Sequence, residues 1–257
     1  MDKKVLLISI DGMRPDGLKQ CSNTYVEELE KICLHTYNAC SLNPSITLPC
    51  HFSMMHSISP QRHGILSNIY VTQVRPVKGI FEKVHDFGGK SAIFYNWEQM
   101  RDVALPGVIN FSEYINCEEE EHTDNILTDK CEKVIEKYHP DFVFLYMVET
   151  DIKGGHRYGW MSNEYKNRIF NAINNVKRII EKFGSEYHVI ITADHGGHEK
   201  FHGTTLKEDM TIPMFFYGES FVPGVISQDI SLLDITPTIA KILSIPIEND
   251  WEGESVI

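Results

Sequence analysis

The stretch KVLLISIDG, residues 4–12, decides the fold. Its run VLLISI does not alternate between apolar and polar residues, and it stops at Asp11-Gly12. A strand covered on both faces reads this way, whereas a half-exposed strand alternates. Four more runs repeat the pattern: SAIFYN (91–96), DFVFLYMVE (141–149), YHVIITA (187–193) and IPMFFYG (212–218). Segments with helical spacing lie between them. NTYVEELEKICLHTY (23–37) reads as one helix. HTDNILTDKCEKVIEKYH (122–139) opens on Thr-Asp and ends before Pro140. SNEYKNRIFNAINNVKRIIEKFG (162–184) opens on Ser-Asn and closes on Gly184. SLLDITPTIAKILSI (231–245) carries Pro237 in its first turn. Strands alternating with helices predict an α/β fold: a mostly parallel central sheet with helices on both faces, in a single domain over residues 1–257.

Composition narrows the function. The chain has 257 residues, 42% hydrophobic and 23% charged, as an ordinary globular protein does. Its 36 acids against 24 bases give a formal charge of −12. Such a field repels polyanions, so a general nucleic-acid-binding surface is not expected. Small phosphorylated molecules stay in play, because bound cations reverse the local field. The first apolar run is too short for a secretory signal, and no apolar stretch spans a bilayer, so no membrane partner is expected. The six cysteines lack CxxC spacing and read as free thiols of a cytoplasmic chain. The acidic run CEEEEH (117–122) reads as a solvated loop or helix start.

The chemistry collects at strand ends. VLLISI runs into Asp11, FVFLYMVE into Thr150-Asp151 and then Gly154-Gly155-His156, and YHVIITA into Asp194-His195. In open parallel sheets, ligands bind beyond the carboxyl ends of the strands. Three aspartates gathered there would repel each other unless a cation neutralised them, and mixed Asp/His sets suit zinc or manganese. The loop ITADHGGHEKFHG (191–203) adds His198 and His202. A hydroxyl stands out in NPSITLPCHFSMMHSISPQRHGILSN (43–68), where a helix is expected to start near Thr47 with Pro49 in its first turn. There the free amides and dipole favour an anion, and a hydroxyl beside a divalent cation loses its proton more readily. GxxxxGK[ST], GxGxxG and GxSxG loops are absent, as are the cysteine-phosphatase loop and the C-x-P-x-R pattern of sulfatases.

The blocks ISIDGMRPD, SITLPCH, HGILSN, ETDIKGGHRYGW, TADHGGHEKFHG and WEGESV occur in this order along nearly the whole chain. This pattern resembles the alkaline phosphatase superfamily, most closely its type I phosphodiesterase/nucleotide pyrophosphatase branch. The resemblance implies two divalent cations, usually zinc. Asp11, Asp194 and His195 would hold one, with Thr47 touching it as nucleophile. Asp151, His156 and His202 would hold the other. Asn68 matches the asparagine that binds a phosphate oxygen. The implied reaction passes through a phospho-threonine, on a small phosphate ester such as a nucleotide. The sequence departs from the family pattern in two places. One extra residue separates Asp151 from His156, for which Gly154-Gly155 offers slack, and His202 follows Asp194 closely. His51, four residues after Thr47, is expected behind the site, and His198 is expected behind the site, facing substrate or on the surface. The chain has no room for the large cap of phosphomutase relatives, which argues against isomerase activity. Besides a phosphodiesterase, the sequence allows a phosphomonoesterase on the same scaffold, for which Arg14 and Arg157 are the nearby cations, or a catalytically silent metal-binding module.

Overall fold

In the computed structural model, which describes residues 1–257, Lys4–Ile10 form β1, and every residue of it after Lys4 is buried. The other strands are β2 (Leu34–Cys40), β3 (Ser91–Tyr95), β4 (Phe111–Tyr114), β5 (Phe142–Met147), β6 (Tyr187–Thr192), β7 (Thr211–Tyr217) and β8 (Gly224–Val225). They form one sheet in the order β4-β3-β5-β1-β6-β7-β2-β8. Only β7 runs against its neighbours. The nine helices are α1 (Pro15–Gln20), α2 (Tyr25–Ile32), α3 (Thr47–His56), α4 (Pro60–His63), α5 (Ile80–Asp86), α6 (Thr123–Tyr138), α7 (Asn163–Phe183), α8 (Lys207–Met210) and α9 (Ile235–Ile242). The mostly parallel α/β sheet expected from the sequence is present. The six cysteines are unpaired, and no helix is long and apolar enough to cross a membrane.

The sheet order positions the site. β5 and β6 flank β1 and run parallel to it, with Ile10 opposite Met147 and Ser9 opposite Thr192. The chain therefore leaves three adjacent strands at one edge, through Asp11, Glu149–Asp151 and Asp194. The mostly apolar, non-alternating character of β1, β5 and β6 follows from their central place, since both faces are covered.

One helix expectation is corrected. Residues 23–37 do not form a single helix: α2 stops at Ile32, Cys33 is extended (φ −111°, ψ 150°), and β2 follows. β2 pairs antiparallel with β7, Leu34 opposite Phe216, and the His35 ring stacks on Phe215 at 5.3 Å. Those partners lie about 180 positions downstream, so the strand is stabilised by contacts that local spacing does not encode. The short β4 and the two-residue β8 give too little pattern to read.

Candidate metal centre

Asp11, Asp194 and His195 are fully buried, and their ligand atoms lie within 4.8 Å of one another. His195 Nε2 is 3.4 Å from Asp11 Oδ1 and 3.2 Å from Asp194 Oδ2. A second group, on the same length scale, joins Asp151, His195 and His202. His202 Nε2 is 3.9 Å from Asp151 Oδ1, and His156 Nε2 is 3.3 Å from Asp151 Oδ2. The His195 and His202 rings stack at 3.8 Å, which places the two groups side by side. His156 sits at the open edge, with 41% of its side chain exposed, so His195 and not His156 completes the tightest second cluster.

Local structure aims each group. Gly12 turns the chain after β1 with φ +66°, and its N–H donates to Asp194 Oδ1 at 3.1 Å. A Cβ at Gly12 would stand 3.0 Å from Asp151 Oδ1. Thr150–His156 form a π-helical segment, whose i→i+5 bonds take up one more residue per turn than an α-helix. Such a turn has room for the additional residue that the sequence reading expects between Asp151 and His156. Gly155 is required beside it, because a Cβ there would fall 2.6 Å from the buried Trp160 ring.

The three ring nitrogens that face away from the site are each tied to a backbone carbonyl: His195 Nδ1 to Gly196 (2.8 Å), His156 Nδ1 to Lys200 (2.9 Å) and His202 Nδ1 to Ser45 (2.9 Å). A carbonyl can only accept, so each Nδ1 carries the proton and each Nε2 presents a lone pair inward. Meanwhile Asp11 Oδ1, Asp151 Oδ1 and Asp194 Oδ2 are buried without a hydrogen-bond partner. Three orphaned carboxylate oxygens facing three imidazole lone pairs are costly in a neutral cavity and fit divalent cations.

The electrostatics agree. Burial raises the Asp11 carboxyl well above the usual range, reinforced by Asp194 and Asp151. Burial lifts Asp151 to about 6. Asp194 is also pushed up by burial, but His195 and His51 reverse this, leaving it below normal. Burial, with the neighbouring His195, pushes His202 down to about 3, which keeps it neutral and able to ligate.

Thr47 is the first residue of α3 and 5% exposed; Ile46 occupies the capping position. Its Oγ1 lies 3.2 Å from His195 Nε2. Asn68 comes to the same helix start, its Oδ1 accepting from the Leu48 N–H at 3.0 Å. His51, one turn along α3, is buried behind the site: Nδ1 to the Thr47 carbonyl (2.8 Å), Nε2 to Ser9 Oγ (2.8 Å), and Nδ1 3.4 Å from Asp194 Oδ2. His198 is not among the clustered groups. Its Nδ1 meets the Asp209 carboxylate at 2.7 Å, and Asp209 also accepts from the Thr204 N–H and hydroxyl. Sequence reading missed Tyr146, whose hydroxyl donates to Asp11 Oδ2 from the next-to-last position of β5, and Ser9, a buried polar residue inside β1. A polar atom in an otherwise apolar buried strand was the available signal.

Two family descriptions match the chain: the metalloenzyme superfamily over residues 64–247, and type I phosphodiesterase/nucleotide pyrophosphatase over residues 5–86. The chain is 29% identical over 119 residues to a phosphopentomutase from Symbiobacterium thermophilum, covering 46% of this chain and 30% of that one. It spans about a third of the length of the curated relatives that it matches. Murine ectonucleotide pyrophosphatase/phosphodiesterase 5, solved as an inactive form in complex with AMP, superposes with a TM-score of 0.81 at 14% identity over 97% of each chain. A phosphonate monoester hydrolase from Silicibacter pomeroyi superposes at 0.76, with 14% identity over 99% of this chain and 76% of that one. At these identities the structural likeness is one of fold.

Proposed function

The chain belongs to the metalloenzyme superfamily, on an alkaline-phosphatase-like fold, and from that premise we propose that it is a metal-dependent phosphodiesterase of the nucleotide pyrophosphatase type, acting through a phospho-threonine at Thr47. The observation that carries this reading is the Thr47 hydroxyl, set at a helix start and 3.2 Å from His195 Nε2, beside three buried carboxylates with unpaired oxygens. Asp11, Asp194 and His195 would hold one divalent cation, and Asp151, His156 and His202 the other, with zinc favoured by the Asp/His set and manganese an acceptable substitute. When bound, the cations supply Lewis acidity and neutralise charge at phosphorus.

The chain's own groups do the rest. Thr47 Oγ1 gives up its proton to solvent and bonds to phosphorus, while the ester oxygen leaves with the P–O electron pair and takes up a proton from solvent. Water then cleaves the Thr47–phosphorus linkage and restores the hydroxyl. Pro49 has no N–H and that of Leu48 is taken by Asn68, so the Thr47 amide is the first-turn donor left for a phosphate oxygen. The Asn68 NH2 group serves as a second donor. Arg14 does not add charge for a monoester dianion: its guanidinium is held by Asp16 (Nε 2.8 Å, Nη2 2.6 Å) and by the Gly197 carbonyl. This removes Arg14, one of the two cations named for the monoester reading, and so favours a diester. Rates on bis-p-nitrophenyl phosphate and p-nitrophenyl phosphate, with zinc or manganese supplied, test it: faster monoester turnover refutes the diester assignment.

The names of the curated relatives favour a second reading, transfer of the phosphoryl group to a sugar instead of water. Incubation with a pentose 1-phosphate separates the two. Pentose 5-phosphate supports transfer; free phosphate shows monoester hydrolysis and counts against both transfer and the diester assignment; unchanged sugar phosphate leaves the diesterase reading standing.

A further inference from the structure

A buried ion network lies two residues from Asp151, outside the ligand set. The Glu149 carboxylate, on a residue only 3% exposed, receives the Thr123 N–H (2.9 Å) and hydroxyl (3.2 Å) at the start of α6, Lys153 Nζ (3.1 Å) and Arg168 Nη1 from α7 (3.0 Å). Lys153, also buried, donates in addition to the Glu120 carbonyl (2.5 Å) and the Glu121 carboxylate (3.2 Å). Glu120 and Glu121 belong to the acidic run that reads from sequence as a solvated loop. On the far side, Asn96 bridges Asp124 Oδ1 (2.7 Å) and the Val148 N–H (3.0 Å).

Position gives the network its meaning. Lys153 lies inside the π-helical segment, between Asp151 and His156, and Glu149 immediately precedes that segment. Such an i→i+5 turn is rare, occurs mostly as a single turn, and is frequent at functional sites. Here α6, α7 and the acidic run all grip it through Glu149 and Lys153.

We propose that Glu149 and Lys153 are positioning residues for the Asp151–His156–His202 cation site, holding the π-helical turn in the register that keeps Asp151 and His156 on one side. The proposal rests on the two-cation reading above. Relaxation of this turn toward α-helical register would swing His156 away from Asp151 and leave the Asp11–Asp194–His195 group untouched.

The test is zinc titration of the metal-free full chain in competition with a chromogenic chelator, which reads binding independently of any hydrolysis. Asp151→Asn identifies the step belonging to this site. Glu149→Gln and Lys153→Met should weaken that step about 10–100-fold, the range for groups that orient metal ligands, with the other step unchanged and Lys153→Arg restoring it. If Lys153→Met does not fold, Glu149→Gln, which keeps the shape and the acceptor for Thr123, decides. Equal weakening of both steps, or unchanged binding by folded variants, overturns the positioning role alone. A wild-type chain that takes up one ion overturns the two-cation reading along with it.

Discussion

Thr47 Oγ1 lies 3.2 Å from His195 Nε2, although 148 positions separate them in sequence. The contact exists because α3 begins where β6 ends, so a helix start and a strand end share one point. In the proposed reaction Thr47 is the nucleophile. Thr47→Ala is therefore expected to lower kcat on bis-p-nitrophenyl phosphate by at least about 10³-fold, as loss of a nucleophile does elsewhere. Thr47→Ser, which keeps the hydroxyl, should retain measurable turnover and give a phosphorylated peptide by mass spectrometry after acid quench. Full metal-dependent turnover by Thr47→Ala would remove the assignment.

Asn68 is held at the same helix start through Leu48, leaving its NH2 group to donate to a phosphate oxygen. Loss of one such donor typically costs about 10²–10³-fold in kcat. Asn68→Ala should fall in that range with both cations still bound; a loss of cation binding in this variant would mean that Asn68 acts through the metal site instead.

The central strands and the three aspartates were legible because β1, β5 and β6 are buried on both faces and each ends at an acid. The family pattern supplied Asn68, which spacing alone does not mark. β2 was not legible, since its partner β7 is remote in sequence and its local pattern continues that of α2. Nor was the π-helical turn at Thr150–His156: the Trp160 ring against Gly155 and the partners of Glu149 on α6 and α7 come from elsewhere in the chain, which local spacing does not encode.

Gly12 combines a left-handed backbone with a close approach to Asp151. Gly12→Ala meets both obstacles. The backbone strain alone is about 1–2 kcal/mol, to be read as a lower denaturant midpoint at unchanged slope. The new methyl also presses on Asp151 Oδ1, so zinc affinity at the Asp151 site should fall, whereas a distant Gly107→Ala, also at positive φ but with open space around it, should lose stability alone.

His198 bonds to Asp209, which also holds Thr204, so it braces the loop that carries His202. It touches none of the clustered ligand atoms. His198→Ala is expected to leave cation stoichiometry intact and to reduce kcat/KM less than about 10-fold, within the effect of losing one charged hydrogen bond of ~1.5–3 kcal/mol if only part of that reaches the site. Loss of a cation on this substitution would make His198 a ligand.

The pH dependence of cation binding follows from the carboxylates. In the metal-free fold burial lifts Asp151 to about 6 and raises Asp11 well above normal. A carboxyl whose folded pKa is raised stabilises the fold while protonated, and that contribution is lost as pH rises through the folded value. For Asp151 the metal-free chain thus loses this contribution between about pH 4 and about pH 6, and the raised Asp11 acts in the same direction. Bound cations need the deprotonated acids, so they compete with these protons and take over the stabilising role as pH rises. His202, held near 3 by burial, is already neutral and adds no competition in this window. The rise in Tm on adding saturating zinc should therefore be small at pH 5 and grow through pH 6 to pH 7.5, read by paired thermal melts. A zinc-induced shift that is flat across this range would show that Asp151 and Asp11 are not the groups from which the cations displace protons.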